Sequence, residues 1–131
     1  MIAERDISQA LLNQLKTVAG LPHLVVDGGT AYTPSPTVSY CKEYDLSGDT
    51  FSDQVSSNGY QRKDGVYQVD VCTPKNGGKW SALETCALIQ TAFPRGLRLG
   101  RVAIKEVSRS SIRYDNTHQI ISLSIGYTAL S

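Results

Sequence analysis

Ile121, Leu123, Ile125, Tyr127 and Ala129 alternate without a break with Ser122, Ser124, Gly126 and Thr128. Successive side chains of a β-strand point to opposite faces, so this run requires a strand with one buried face and one polar face. Tyr67, Val69 and Val71 repeat the pattern against Gln68, Asp70 and Cys72, which are left to solvent or a neighbouring subunit, and Pro74 ends that strand. Two strands of this kind call for a sheet covered on one side only. The cover lies between them in the chain: Ala82, Cys86, Ile89 and Phe93, with Leu83 beside them, recur at helical spacing and form one apolar stripe. Asn76-Gly77-Gly78 supplies a turn before this helix. Asn76 or Ser81 is its expected start, Ser81 with Glu84 reads as a capping box, and Pro94 and Gly96 stop it.

The remaining elements follow from the same periodicities. A first helix is expected from about Ala3 to Ala19, with Ala3, Ile7, Ala10, Leu11, Leu15 and Val18 on one face and Gly20 and Pro22 closing it. Leu24 to Val26 reads as a short strand before the turn Asp27-Gly28-Gly29, and Pro34 and Pro36 then hold the chain extended. Val38 to Tyr44 reads as a strand with Val38, Tyr40 and Tyr44 on one parity, a pattern that Lys42 breaks. Val102 and Ile104 mark another, and Ser108 to Asn116 is a polar connection. Helix, strands, helix, strands is not the alternation of a doubly wound fold. The expectation is a single α+β domain over residues 1–131, a mainly antiparallel or mixed sheet with two helices packed on one face.

A chain of 131 residues with 40% hydrophobic and 19% charged residues has enough apolar material for a core. The opening MIAERDIS is charged where a signal peptide would be apolar, and no run is long enough to span a bilayer, so a soluble cytosolic product is expected. Cys41, Cys72 and Cys86 are odd in number and widely spaced, which suits reduced buried thiols better than a disulfide framework or zinc site. His23 and His118 are the only neutral-pH bases, and neither lies in a catalytic motif. Asn76-Gly77-Gly78-Lys79 imitates a phosphate loop but lacks its first glycine, and Trp80 stands where the metal-binding hydroxyl would be. No catalytic, cofactor-binding or metal-ligating residue is expected.

Two segments offer surfaces instead. Residues 45–64 are dominated by Ser, Gly, Asp and Asn, with only Leu46, Phe51, Val55 and Tyr60 as apolar anchors. They read as a mobile, partner-facing loop without a part in folding. Arg95, Arg98, Arg101, Lys105, Arg109 and Arg113 form a basic run opposed locally by Glu106. Residues 1–60 hold three cations against seven carboxylates, a net of −4, and residues 61–131 hold ten against five, a net of +5. Opposed halves suit a head-to-tail contact between identical subunits. Asp45, Asp49, Phe51, Asp53, Tyr60, Arg95, Arg98 and Arg101 are accordingly the candidate subunit or partner contacts.

The order G-x-Y-Q-V-D-V-x-T-P-K-x-G-G-K from Gly65, then a helix rich in Ala and Leu, then A-F-P-R-G and the closing I-S-L-S-I-G-Y-T-A, resembles the tail terminator proteins of long-tailed bacteriophages. The resemblance implies a structural virion protein and not an enzyme: a small α+β subunit forming a hexameric ring on a finished tail tube. Such a ring stops tube polymerisation and offers an attachment surface to the head or neck. Implied partners are the chain itself, the tail tube protein and the head–tail connector or neck proteins. Phage DNA would pass through the lumen without sequence-specific binding; no cofactor and no membrane are involved. The implied location is the virion tail near the head–tail junction, after assembly in the host cytoplasm. A neck or head-completion connector is the alternative within virion structure, and a nucleic-acid-binding module using the Arg95 to Arg113 face is the alternative from another class.

Overall fold

The computed structural model describes residues 4–26, 32–52 and 61–130. Helix α1, Glu4–Lys16, buries Ile7, Leu11 and Leu15, one residue per helical turn, and Lys16 in its last turn complements the helix dipole. Strand β1, His23–Val25, precedes a long antiparallel hairpin of β2, Tyr40–Ser52, and β3, Gln61–Pro74. Helix α2, Trp80–Ala92, follows, then β4, Arg98–Leu99, β5, Val102–Arg109, β6, Arg113–Tyr114, and β7, His118–Leu130.

The strands form one mixed sheet in the order β1-β2-β3-β7-β5-β4, with β6 beside β7. Only β1 with β2 is parallel among the described pairs. The two strictly alternating segments are direct neighbours, pairing Tyr67 with Ile125, Val69 with Leu123 and Val71 with Ile121. All six are fully buried, and Ala82, Cys86, Ile89 and Phe93 of α2 join them in the core together with the buried row of α1. Gln14 Nε2 donates to the Ala92 carbonyl at 2.7 Å, which satisfies one open carbonyl at the end of α2 and ties the helices together. The expected α+β class, with a mixed sheet and two helices, is the observed one.

Three local expectations are corrected. Helix α2 starts at Trp80 after Gly78, whose φ of 75° only glycine adopts without strain, and Lys79 precedes it with no side-chain cap. Ser81 is therefore inside the first turn, where its carbonyl accepts from Thr85 Oγ1 at 3.0 Å. In β2 the inward parity is that of Cys41 and Glu43, which pair with Val71 and Val69, and not that of Tyr40 and Tyr44. Tyr40 is half-buried on the opposite face because it meets aromatic rings there, with ring centroids 5.4 Å from Tyr32 and 5.1 Å from His118. Lastly, most of the segment expected as a loop is sheet: 45–52 and 61–64 continue β2 and β3, pairing Asp45 with Tyr67 and Phe51 with Arg62 around a bulge between Ser47 and Thr50. Backbone hydrogen bonding to a neighbouring strand compensates there for the scarcity of apolar side chains.

Candidate functional site

The short strand β4 and the start of β5 form an edge hairpin directly after α2. Gly96 N donates to the Ile104 carbonyl at 2.9 Å and Ile104 N to the Leu97 carbonyl at 2.8 Å, while Gly96 and Gly100 turn the chain at φ 88° and 64°. Leu97 and Leu99 pack against the core, so Arg98 between them is turned outward. Arg95, Arg98 and Arg101 are all exposed and are brought together on this one edge; Lys105 and Arg109, also exposed, extend it along β5.

The acidic candidates are not brought to the arginines. Asp45, Asp49 and Phe51 lie on β2, separated from the arginine edge by β3, β7 and β5. Asp53 and Tyr60 lie outside the described residues. The charge asymmetry read along the chain thus becomes an asymmetry across the sheet.

Between those edges, the face away from the helices carries a polar network that sequence reasoning noticed only as a parity. Asp70 Oδ1 accepts from Gln68 Nε2 at 2.9 Å and from Ser122 Oγ at 2.7 Å. Arg113 donates to Ser122 Oγ and stands 4.0 Å from Asp70 Oδ1. Thr128 Oγ1 donates to Asp64 Oδ1 at 2.8 Å, and Lys42 Nζ lies 5.1 Å from the centre of the Tyr44 ring. The signal in the sequence was the serine parity of the last strand facing the Gln68 and Asp70 parity, which becomes legible once β3 and β7 are known to be neighbours.

Trp80, which sequence reasoning used only to reject a phosphate loop, is 70% exposed, with Lys79 Nζ 5.1 Å from its ring centre. Leu88, 45% exposed, lies further along the same helix. Helix α2 therefore presents apolar groups outward as well as inward, and large exposed aromatics of this kind are common anchors of protein contacts.

Several titratable groups are occupied by hydrogen bonds or suppressed by burial. His118 is fully buried, its Nε2–H donates to the Val38 carbonyl at 2.9 Å, and its Nδ1 is hydrogen-bonded with Thr117 Oγ1 at 2.7 Å. Asp115 accepts from the backbone N–H groups of His118 and Thr117 at 2.6 and 2.8 Å, and these bonds hold its carboxyl below the ordinary value. Burial pushes the Cys41 thiol up to about 12 and those of Cys72 and Cys86 to about 11, and it also raises the Tyr40 phenol. A cleft of about 470 Å³ between Pro36, Thr37, Lys75, Asn76, Asn116 and Thr117 has Lys75 as its one charged lining residue. Among the described residues no group of three or more His, Cys, Asp or Glu is placed to hold a metal ion, and no helix is long and apolar enough to cross a membrane.

The family model described as "Phage tail terminator protein" matches residues 6–127. One solved structure, 23% identical in sequence, superposes with a TM-score of 0.71 over 98% of this chain and 96% of its own, which establishes a shared fold. No curated protein matches the sequence.

Proposed function

The chain belongs to the phage tail terminator family, and on that premise we propose that it closes the finished tail tube as a ring. Membership makes it a structural component of the virion tail that interacts with tail and with head or neck components. The finer reading is that six copies form a ring on the last layer of the tube, stop further polymerisation and present a docking surface to the neck, with phage DNA crossing the lumen without sequence-specific contact. The family match over residues 6–127 carries this reading. The distribution of charge supports it: the arginine edge at β4 and the acidic strand β2 stand at opposite sides of the sheet, an arrangement compatible with a head-to-tail ring. The outward Trp80 and Leu88 of α2 offer a further surface for the tube or the neck.

Negative-stain imaging of the purified full chain, alone and mixed with purified tail tubes, tests the proposal. The expected result is one ring at one end of each tube and no further growth from that end when tube protein is added. A protein that stays monomeric and never decorates tube ends would remove the reading.

A further inference from the structure

The two sides of the sheet are cut to complementary steps. On one side β1 lies outside β2 only at Tyr40 to Lys42, the level of Ile120 to Ser122 in β7. Beyond Lys42 no described strand flanks β2 on that side. On the other side β4 lies outside β5 at Val102 and Ala103, and Leu97 extends the pairing to Ile104, the level of Tyr127 to Ala129. From Glu106 to Arg109, opposite Gly126 to Leu123, no described strand flanks β5. Among the described strands each side therefore projects at a level where the other does not, and at the level of Leu123 to Gly126 neither projects.

The charges match the steps. With Glu43 turned inward, β2 offers Lys42 against Asp45 and Asp49, a net of −1, whereas residues 95–109 carry five cations against Glu106, a net of +4. Long open strand edges are hazards that proteins usually cover, because unpaired backbone groups seek partners.

We propose that these two sides are a single interface between copies of this chain. The projecting β4 of one copy enters the recess beside β2 at the level of Ser47 to Thr50 in the next, and the projecting β1 of that next copy enters the recess beside β6. The proposal rests on the ring reading above and names the surface that closes it. Strand polarity is compatible: β2 and β4 both run in the direction of β7, since each is reached from it through two antiparallel pairings. A rotation that carries the sheet around the ring keeps those directions, so β4 meets the neighbouring β2 in parallel. A heterologous contact of this type covers the same edge segments in every copy once the ring closes. Backbone pairing supplies affinity, and the arginine and acidic sets fix which edge meets which.

Hydrogen–deuterium exchange followed by mass spectrometry, comparing full-length protein in rings on tail tubes with free protein, tests the interface. Those amides of Ser47 to Thr50 and of Arg98 to Leu99 that are not already bonded to a neighbouring strand should exchange at least about tenfold more slowly in the ring, the behaviour of newly paired backbone. Rings whose amides in both segments exchange as in the free protein would overturn the edge pairing and leave the terminator reading intact. Failure to form rings at all would overturn both. As an independent arm, Arg98→Glu with Arg101→Glu alters two exposed residues, so circular dichroism and denaturant midpoint should be unchanged while ring assembly falls at least about tenfold. Wild-type assembly by this doubly reversed protein would overturn the charge pairing across the edges.

Discussion

Gly65 lies directly across from Tyr127 in the β3–β7 register, and a Cβ added to Gly65 would stand 2.5 Å from the Tyr127 hydroxyl oxygen and 2.6 Å from the ring carbon that bears it. Tyr127 is 2% exposed, so its ring has no open space into which to retreat. Gly65→Ala should therefore cost about 1–3 kcal/mol, the range for overpacking a filled core. Gly126→Ala is the comparison, since its added Cβ would meet the Glu106 carbonyl at 3.6 Å, an ordinary contact. Urea denaturation of both variants checks this: a Gly65→Ala midpoint no lower than that of Gly126→Ala would refute the crowding.

Phe93 closes the core where α2 ends. It is 1% exposed and its ring centre lies 6.4 Å from that of Tyr67. Phe93→Ala should lower stability by about 3–5 kcal/mol, the cost of truncating a buried aromatic. An unchanged denaturation midpoint would mean that the helix-to-sheet packing is wrong.

Asp70 and Arg113 belong to the same network, but their removal should have unequal effects. The Asp70 side chain is 15% exposed and serves as acceptor to Gln68 and Ser122, whereas that of Arg113 is 56% exposed. Asp70→Ala leaves the half-buried Gln68 and the buried Ser122 without their acceptor and should cost about 1–3 kcal/mol. Arg113→Ala should cost less than about 1 kcal/mol, as exposed ion pairs do. Equal midpoints for the two variants would show that the network does not depend on Asp70.

All three thiols should be inert in the folded protein at pH 8, because burial raises Cys41 to about 12 and Cys72 and Cys86 to about 11 from an ordinary 9.0. A thiol reagent such as Ellman's should react with none of them natively and with all three in denaturant. A thiol whose folded value is raised favours the folded state at pH below 9.0, and that contribution is lost as pH climbs from 9.0 toward 11 to 12. Denaturation midpoints measured from pH 8 to pH 11 should fall, and Cys41→Ser should flatten the decline. A thiol that reacts in the native protein at pH 8 would place that residue outside the core.

Features that depend on local period were legible in the chain alone. Tyr67, Val69, Val71 and the row from Ile121 to Ala129 could occupy only a strand with one buried face, and Ala82, Cys86, Ile89 and Phe93 only a helix laid upon it. Those two statements already fixed an α+β fold covered on one side. Tertiary structure decided what depends on neighbours. The parity of β2 was misread at Tyr40 because its apolar ring found company on the uncovered face, where Tyr32 and His118 lie, while Glu43 went inward beside Val69. Strand character in 45–52 and 61–64 was invisible because backbone pairing there, and not side-chain burial, sets the conformation. The candidate contacts were legible as charges and as a resemblance, yet their placement was not: sequence distance says nothing of which edge a strand occupies. Only the order β1-β2-β3-β7-β5-β4 puts the acidic strand and the arginine hairpin on opposite sides of one sheet, since strand order is set by pairing between segments far apart in the chain.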